Sequence, residues 1–149
     1  MNPEKPSITV VYDNVSLRED LEPGWGFSCL LDLSQGCILF DTGAEPEGLL
    51  GNLARMGLDS RRIEHVVLSH AHDDHCGGLG GVLAANSRVS VHVPASFPSR
   101  FSDLVASRGA RCEIVRGERT LLPGVHTTGE MGDGMREQAL VVETDRGLV

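Results

Sequence analysis

The segment His70-Ala71-His72-Asp73-Asp74-His75 holds three of the six histidines of this 149-residue chain, together with two carboxylates. It follows a short apolar run over residues 63–69 and precedes the pair Gly77-Gly78. A buried strand of that length would deliver His70 onto a loop at its carboxyl end, where open α/β sheets bind their ligands. The sequence therefore predicts a metal site whose imidazole and carboxylate ligands suit zinc, iron or manganese.

The spacing of these side chains predicts two neighbouring ions. In an extended segment, residues two positions apart project to the same side, so His70 and His72 can reach one ion. Asp74 and His75 come after a turn of the chain and point elsewhere. Two adjacent ions lower the pKa of a bridging water and hold a hydroxide near neutral pH, which indicates hydrolysis. The alternative is a histidine-rich surface loop, or a helix terminus capped by Asp73 or Asp74.

Length, composition and charge limit the classes of function. A chain of 149 residues with 40% hydrophobic content can bury the core of one domain, which we place at residues 1–149. The net charge of -8 disfavours nucleic acid and anionic membranes as partners. The opening residues 1–6 do not follow the pattern of a signal peptide. No CxxC pair links Cys29, Cys37, Cys76 and Cys112, so we expect a cytoplasmic protein with reduced thiols.

Apolar periodicity predicts an α/β chain. A strand is expected at residues 8–12, and a hairpin of strands at residues 27–33 and 37–40. Helical spacing predicts a helix over residues 47–56, with Gly57 at its end. The remaining predicted elements are strands at 63–69, 89–93, 112–115, 124–128 and 139–143, and helical segments at 77–85 and at 95–108, the latter broken near Pro98.

The run His70-x-His72-x-Asp74-His75 matches the HxHxDH signature of the metallo-β-lactamase superfamily, and Phe40-Asp41-Thr42-Gly43 precedes it as a similar phrase does in that family. Shorter phrases resemble a branch of metal-dependent hydrolases similar to a dihydropterin ribofuranosylaminobenzene phosphate synthase. They are Val11-Tyr12-Asp13-Asn14, Gly26-Phe27-Ser28, Leu68-Ser69-His70 and Thr128-Gly129-Glu130. The resemblance implies an αββα sandwich, of which this chain would be the N-terminal part.

The resemblance also implies roles for the site residues. The metal ligands would be His70 and His72 for a first divalent ion, and Asp74 and His75 for a second, with zinc expected before iron or manganese. Asp41 would orient a ligand histidine or contact the metal-bound water.

Asp41, Asp73 and Asp74 are therefore the candidate catalytic residues, although two of them have simpler explanations. An aspartate at position 41 can serve only to hydrogen-bond the Thr42-Gly43 turn. Asp73 is a candidate for proton transfer, yet an exposed aspartate beside a cationic centre needs no such role.

Ligands that this family supplies later in its chain have no counterpart here. They are a histidine after a strand, a bridging acidic ligand in many members, and a last histidine, and the sequence stops where the approach to the first of them would lie. The remaining histidines, His65, His92 and His126, are expected to be structural or solvated. Cys76 is expected to be a packed thiol.

Three hypotheses follow from this incomplete ligand set. The chain is the N-terminal portion of a hydrolase, or a complementary chain or homo-oligomer supplies the other half of the site, or it is a noncatalytic metal-binding or interaction module. An uncovered core or sheet edge would favour association. We favour a hydrolase that uses a metal-bound hydroxide on a small anionic substrate, such as a phosphate ester or cyclic phosphate.

Overall fold

The computed structural model of the protein describes residues 6–149, so most of the opening segment considered above lies outside the described residues. Over that range the strands form two sheets. The six-stranded sheet has the order β1 (Ser7–Tyr12), β2 (Ser28–Leu33), β3 (Gly36–Phe40), β4 (His65–Val67), β5 (Ser90–Pro94) and β6 (Arg111–Val115). The four-stranded sheet contains β7 (Gly117–Leu122), β8 (Val125–Gly129), β9 (Leu140–Thr144) and β10 (Gly147–Leu148), in the order β10-β9-β8-β7.

The connections of the first sheet determine where the site lies. Strands β1 to β3 are antiparallel, and the predicted hairpin between β2 and β3 is confirmed. Strands β3 to β6 are parallel, and helical crossovers join them, as parallel pairing requires. The helices are α1 (Pro46–Arg55), α2 (Asp73–Cys76), α3 (Leu79–Ala85) and α4 (Ser99–Ser107). The carboxyl ends of β3 and β4 therefore meet at one edge, where Asp41 and His70 follow them.

Alternation of side chains along β2 and β3 produces two cores. Leu30 and Leu39 face the helices and pack in a cluster with Leu49, Leu53, Leu79, Val82 and Phe101. Leu31 and Ile38 face the second sheet and pack with Val125 and Val142. The layers are thus helices, first sheet and second sheet. This arrangement confirms the mixed α/β class and matches three layers of an αββα sandwich.

Several predicted boundaries were wrong, for local reasons. The helix expected at 77–85 is preceded by α2, which carries Asp74 and His75, and its own first turn begins at Leu79. The break expected near Pro98 within residues 95–108 is confirmed, because Pro98 is the N-cap of α4, but the residues before it are not helical. The strand expected at 63–69 ends at Val67. Strand β7 was not predicted, because its charged residues hide any apolar alternation.

Part of the core between the sheets is uncovered. Ile8 and Val10 pair with Leu31 and Cys29 on β2 and lie on the same face, yet each is 50% exposed. An apolar groove continues from Ile8 to Val149 at the end of the second sheet. An uncovered apolar edge of this kind is the feature that would favour association, which stays a prediction. Among the helices of residues 6–149, none has the length and apolar character needed to cross a membrane.

Candidate metal centre

Three residues of the predicted motif converge on one point. Ligand atoms of His70, Asp74 and His75 lie within 4.8 Å of one another. His70 follows β4, whereas Asp74 and His75 lie in the single turn of α2, whose N-cap is His72. Because the chain turns into a helix directly after His72, the imidazole of His75 returns to His70, with ring centroids 4.2 Å apart. The geometry thus groups residues that the spacing argument had divided between two ions.

His72 does not belong to this group of three. Its side chain is exposed, and its ring lies edge-on to that of His70 with centroids 4.7 Å apart. The two rings are therefore neighbours, as the extended spacing predicted. The role of His72 as a ligand, and the division of the four motif residues between two ions, stay predictions.

Asp41 lies beneath these ligands and holds them from the end of β3. Its carboxylate is 1% exposed. It accepts hydrogen bonds from the Ser69 amide (2.7 Å), the Ser69 hydroxyl (2.6 Å) and His75 Nδ1 (2.7 Å). Its backbone has a φ of 57°, a left-handed conformation that costs a non-glycine residue roughly 1–3 kcal/mol and persists only where neighbours fix it. These contacts support the orienting role for Asp41 over a simple contact with the Thr42-Gly43 turn.

The direction of these hydrogen bonds sets the tautomers of two histidines. A carboxylate only accepts, so His75 Nδ1–H and the Ser69 hydroxyl both donate to Asp41. Because the Ser69 hydroxyl donates its only hydrogen to Asp41, it acts as the acceptor toward His70 Nδ1–H, 2.9 Å away. Both rings are therefore held with Nε2 unprotonated when they are neutral, and an unprotonated nitrogen is what a metal ion needs.

The electrostatics of the group are consistent with cation binding. The hydrogen bond to Asp41 raises the pKa of His75, against the opposing effect of burial. Burial lowers the pKa of His70, and the adjacent His75 lowers it further. His75 Nε2 lies 3.4 Å from an Asp74 carboxylate oxygen. Two imidazoles held by their Nδ1 atoms, together with a carboxylate, fit zinc, iron or manganese.

The other candidate residues lie outside the group. Asp73 is exposed at the first position of α2. Cys76 is buried, its thiol donates to the His72 carbonyl at 3.0 Å, and burial raises its pKa to about 12, so it is the packed thiol that was expected. All four cysteines are free.

The three isolated histidines are engaged elsewhere. His65 Nδ1 and His92 Nε2 lie 3.0 Å apart on neighbouring strands, on the side of the first sheet that faces the second. His126 lies on the second sheet, where it contacts Thr120 at 3.1 Å and Glu143 at 3.0 Å. Within the described residues none of them joins the metal-ligand group, as the sequence had indicated.

The sequence did not reveal three further residues at the centre. Ser69 stands beside His70 in the motif, but a serine there gives no signal of its own. Glu137 places a carboxylate oxygen 3.8 Å from His70 Nδ1, and Gln138 donates its backbone amide to the Ser69 carbonyl at 3.0 Å. Both come from the loop before β9, far from the motif in sequence, so that no local pattern could have identified them.

The fold is an α/β protein of two stacked sheets, with a cluster of histidine and aspartate side chains suited to a metal ion at the carboxyl ends of parallel strands. The profile of the metallo-beta-lactamase superfamily matches residues 23–140. The chain belongs to this superfamily, whose members commonly bind divalent metals, and its similar proteins include several hydrolases.

Similar proteins illustrate the range of that superfamily. A 7,8-dihydropterin-6-methyl-4-(beta-D-ribofuranosyl)-aminobenzene-5'-phosphate synthase of Methanocaldococcus jannaschii is 29% identical over 81% of this chain and 52% of its own. An N-acyl homoserine lactonase of a Bacillus species is 24% identical over 95% of this chain and 69% of its own. The crystal structure of a quorum-quenching N-acyl homoserine lactone lactonase superposes with a TM-score of 0.66 and 22% identity, covering 99% of this chain and 72% of that one. The chain thus spans about half the length of the synthase.

Proposed function

We propose that this protein is a metal-dependent hydrolase whose centre is built on His70, Asp74 and His75. The observation that carries the proposal is the convergence of these ligand atoms within 4.8 Å above the buried carboxylate of Asp41. A histidine-rich surface loop would have no reason to bury a carboxylate beneath its imidazoles, since burying an ionised group is costly unless it is paired.

The residues of this chain prepare the site in three ways. Asp41 holds His75, and Ser69 holds His70, so that each ring presents an unprotonated Nε2. Asp74 adds a carboxylate oxygen as a third ligand atom and a negative charge that attracts a cation. A divalent ion bound there would lower the pKa of a coordinated water and polarise a substrate oxygen. We propose two such ions, with zinc as the preferred metal and with His72 completing the ligands of one of them.

A small anionic substrate, such as a phosphate ester or cyclic phosphate, remains the proposed substrate class. The chain carries a net charge of -8, so the ions would be the main attraction for an anion. Relatives named ribonuclease Z support phosphate ester chemistry. A carboxylic ester in a lactone is the second candidate, because the lactonases match nearly the whole chain.

The test is to load the purified chain with zinc or manganese and assay bis(p-nitrophenyl) phosphate and an N-acyl homoserine lactone. The variants are His75→Ala and, as a matched control, His126→Ala, whose ring lies on the second sheet. We expect metal-dependent turnover that His75→Ala abolishes and His126→Ala keeps. Wild-type turnover by His75→Ala would contradict the proposal.

Metal content and molecular mass, measured together, separate the remaining hypotheses. Two ions per chain in an associated species supports a site completed by a second chain. Metal binding without turnover on either substrate supports the noncatalytic module. The absence of bound metal would overturn the metal centre itself.

A further inference from the structure

Gln138 is a buried polar residue that no step of the proposed chemistry uses. Its side chain is 2% exposed, in the loop that enters β9. The amide nitrogen donates to the carbonyls of Leu68 (2.9 Å) and His92 (3.1 Å), and the amide oxygen accepts from the hydroxyl of Thr127. Both of its donor hydrogens are therefore used, and the backbone amide donates a further bond to Ser69.

The carbonyls that Gln138 binds lie at a junction. Strand β4 ends at Val67, and the chain then runs through Leu68 and Ser69 to His70. The Leu68 amide donates to the His92 carbonyl at 3.0 Å, so β5 still guides this part of the chain. Beyond that point, the Gln138 side chain donates to the Leu68 carbonyl and the Gln138 backbone amide donates to the Ser69 carbonyl. These bonds join the loop before β9 to the base of the metal loop.

Ser69 connects this junction to the ligands. The Ser69 carbonyl accepts from the backbone amide of Gln138, while the Ser69 backbone amide and hydroxyl donate to Asp41. Asp41 in turn accepts from His75, and the Ser69 hydroxyl accepts from His70. A continuous set of hydrogen bonds therefore joins Gln138 to both histidines of the metal-ligand group.

We propose that Gln138 is a positioning residue for the metal centre, acting through Leu68 and Ser69 on the orientation of His70. The proposal rests on the proposed function, since it assigns a role toward that same centre. Glutamine suits the position because two carbonyls and one hydroxyl must be satisfied at once. Leucine offers neither donor nor acceptor, and a glutamate carboxylate offers no donor to the two carbonyls.

A purely structural role for the amide is the alternative, and the chain supplies a matched control. Asn86 is 8% exposed, and its side-chain nitrogen donates to the carbonyls of Ser60 (3.2 Å) and Ile63 (2.9 Å). Ile63 precedes β4, so these bonds lie at the amino end of the strand, opposite the metal loop. A substitution at Asn86 removes comparable buried hydrogen bonds without touching the residues that lead to His70.

The experiment compares Gln138→Leu, Gln138→Glu and Asn86→Leu. Zinc affinity is measured by competition with a chromophoric chelator, the ligand field by cobalt absorption, and stability by denaturant unfolding. We expect the Gln138 variants to lose about 10-fold or more in zinc affinity and to show an altered cobalt spectrum. Asn86→Leu should lose stability at unchanged affinity and spectrum. Unchanged affinity and cobalt spectrum in folded Gln138 variants would overturn the proposal.

Two further measurements keep the test decisive. Imidazole resonances of His70 and His75 in the metal-free protein should shift in Gln138→Glu and not in Asn86→Leu. If the unsubstituted chain binds no zinc, the proposed function fails, whereas unshifted resonances in Gln138→Glu contradict the positioning role itself. If the Gln138 variants do not fold, Thr127→Val replaces them. It removes the donor to the amide oxygen, together with the acceptor of the Gly129 amide (3.1 Å), and it should shift the same resonances if the proposal holds.

Discussion

Replacing Asp41 by asparagine should reverse the tautomers of His70 and His75, the two histidines that are hydrogen-bonded through Nδ1. The asparagine oxygen must face the Ser69 amide, which can only donate, so the new NH₂ group takes the place of Oδ2. That group donates to His75 Nδ1 and to the Ser69 hydroxyl, where the carboxylate had accepted. Ser69 then donates to His70 Nδ1. The proton of each neutral ring moves to Nε2, the nitrogen that a metal ion requires.

The size of the effect follows from the number of ligands concerned. Loss of a hydrogen-bonding partner behind a single ligand typically lowers metal affinity by about 10- to 100-fold. Because the substitution acts on two of the three grouped ligands, we expect the upper end, about 100-fold, which corresponds to roughly 2.7 kcal/mol. The side chains have the same shape, so packing around this buried position should change little.

The assay is zinc affinity, measured by chelator competition, for Asp41→Asn beside Asp32→Asn. Asp32 is a matched control, because its carboxylate pairs with Arg62 at 2.9 and 3.0 Å at the hairpin end of β2, away from the metal loop. Asp32→Asn should bind zinc as the unsubstituted chain does. If folded Asp41→Asn also keeps that affinity, the tautomer argument is wrong.

Two further perturbations test the fold around the site. Burial and the adjacent His65 lower the pKa of His92 from 6.5 to about 4, so the folded state resists a proton that the unfolded chain accepts. The free energy of unfolding should therefore fall as the pH drops from about 6.5 towards 4. Denaturant titrations at pH 7 and at pH 4.5 measure this fall, which should be about 2 kcal/mol smaller in His92→Leu than in the unsubstituted chain. Equal falls in the two proteins would contradict this. Gly26 has a φ of 115°, and a Cβ there would lie 1.8 Å from the Asp74 carbonyl, so Gly26→Ala should cost at least about 1–3 kcal/mol in unfolding experiments. Gly80→Ala in α3, where a Cβ meets nothing within 4 Å, should instead be neutral or stabilising.

The predictions that succeeded depend on local sequence. The hairpin of β2 and β3 has alternating apolar residues and a short polar turn, and α1 has helical spacing between Pro46 and Gly57. The candidate metal motif could be recognised for the same reason, because its residues are almost consecutive, although its role as a metal site stays a prediction. Strand β7 was not predicted, because it has no such local pattern. Its exposed, charged residues pair with β8 through backbone hydrogen bonds, which leave no trace in the side-chain pattern.

The grouping of the ligands could not be read from their spacing, because it depends on a helix only one turn long. Asp73 to Cys76 are too few residues for a periodic signal, and an isolated turn of helix is unstable without tertiary contacts. Those contacts come from distant segments. The Asp74 carbonyl accepts the Phe27 amide at 3.1 Å, and the His75 carbonyl accepts the Thr42 amide at 2.7 Å.

The motif therefore supplies the candidate ligand atoms, while residues outside it determine how those atoms are oriented. Three parts of the fold hold the metal loop: the end of β3 through Asp41, the loop around Phe27, and the second sheet through Gln138. The first two hold α2, and the third holds the residues that lead to His70. A surface loop with the same six residues would lack all three supports. The placement of the loop at their meeting point is the physical reason to expect a preorganised centre rather than adventitious binding.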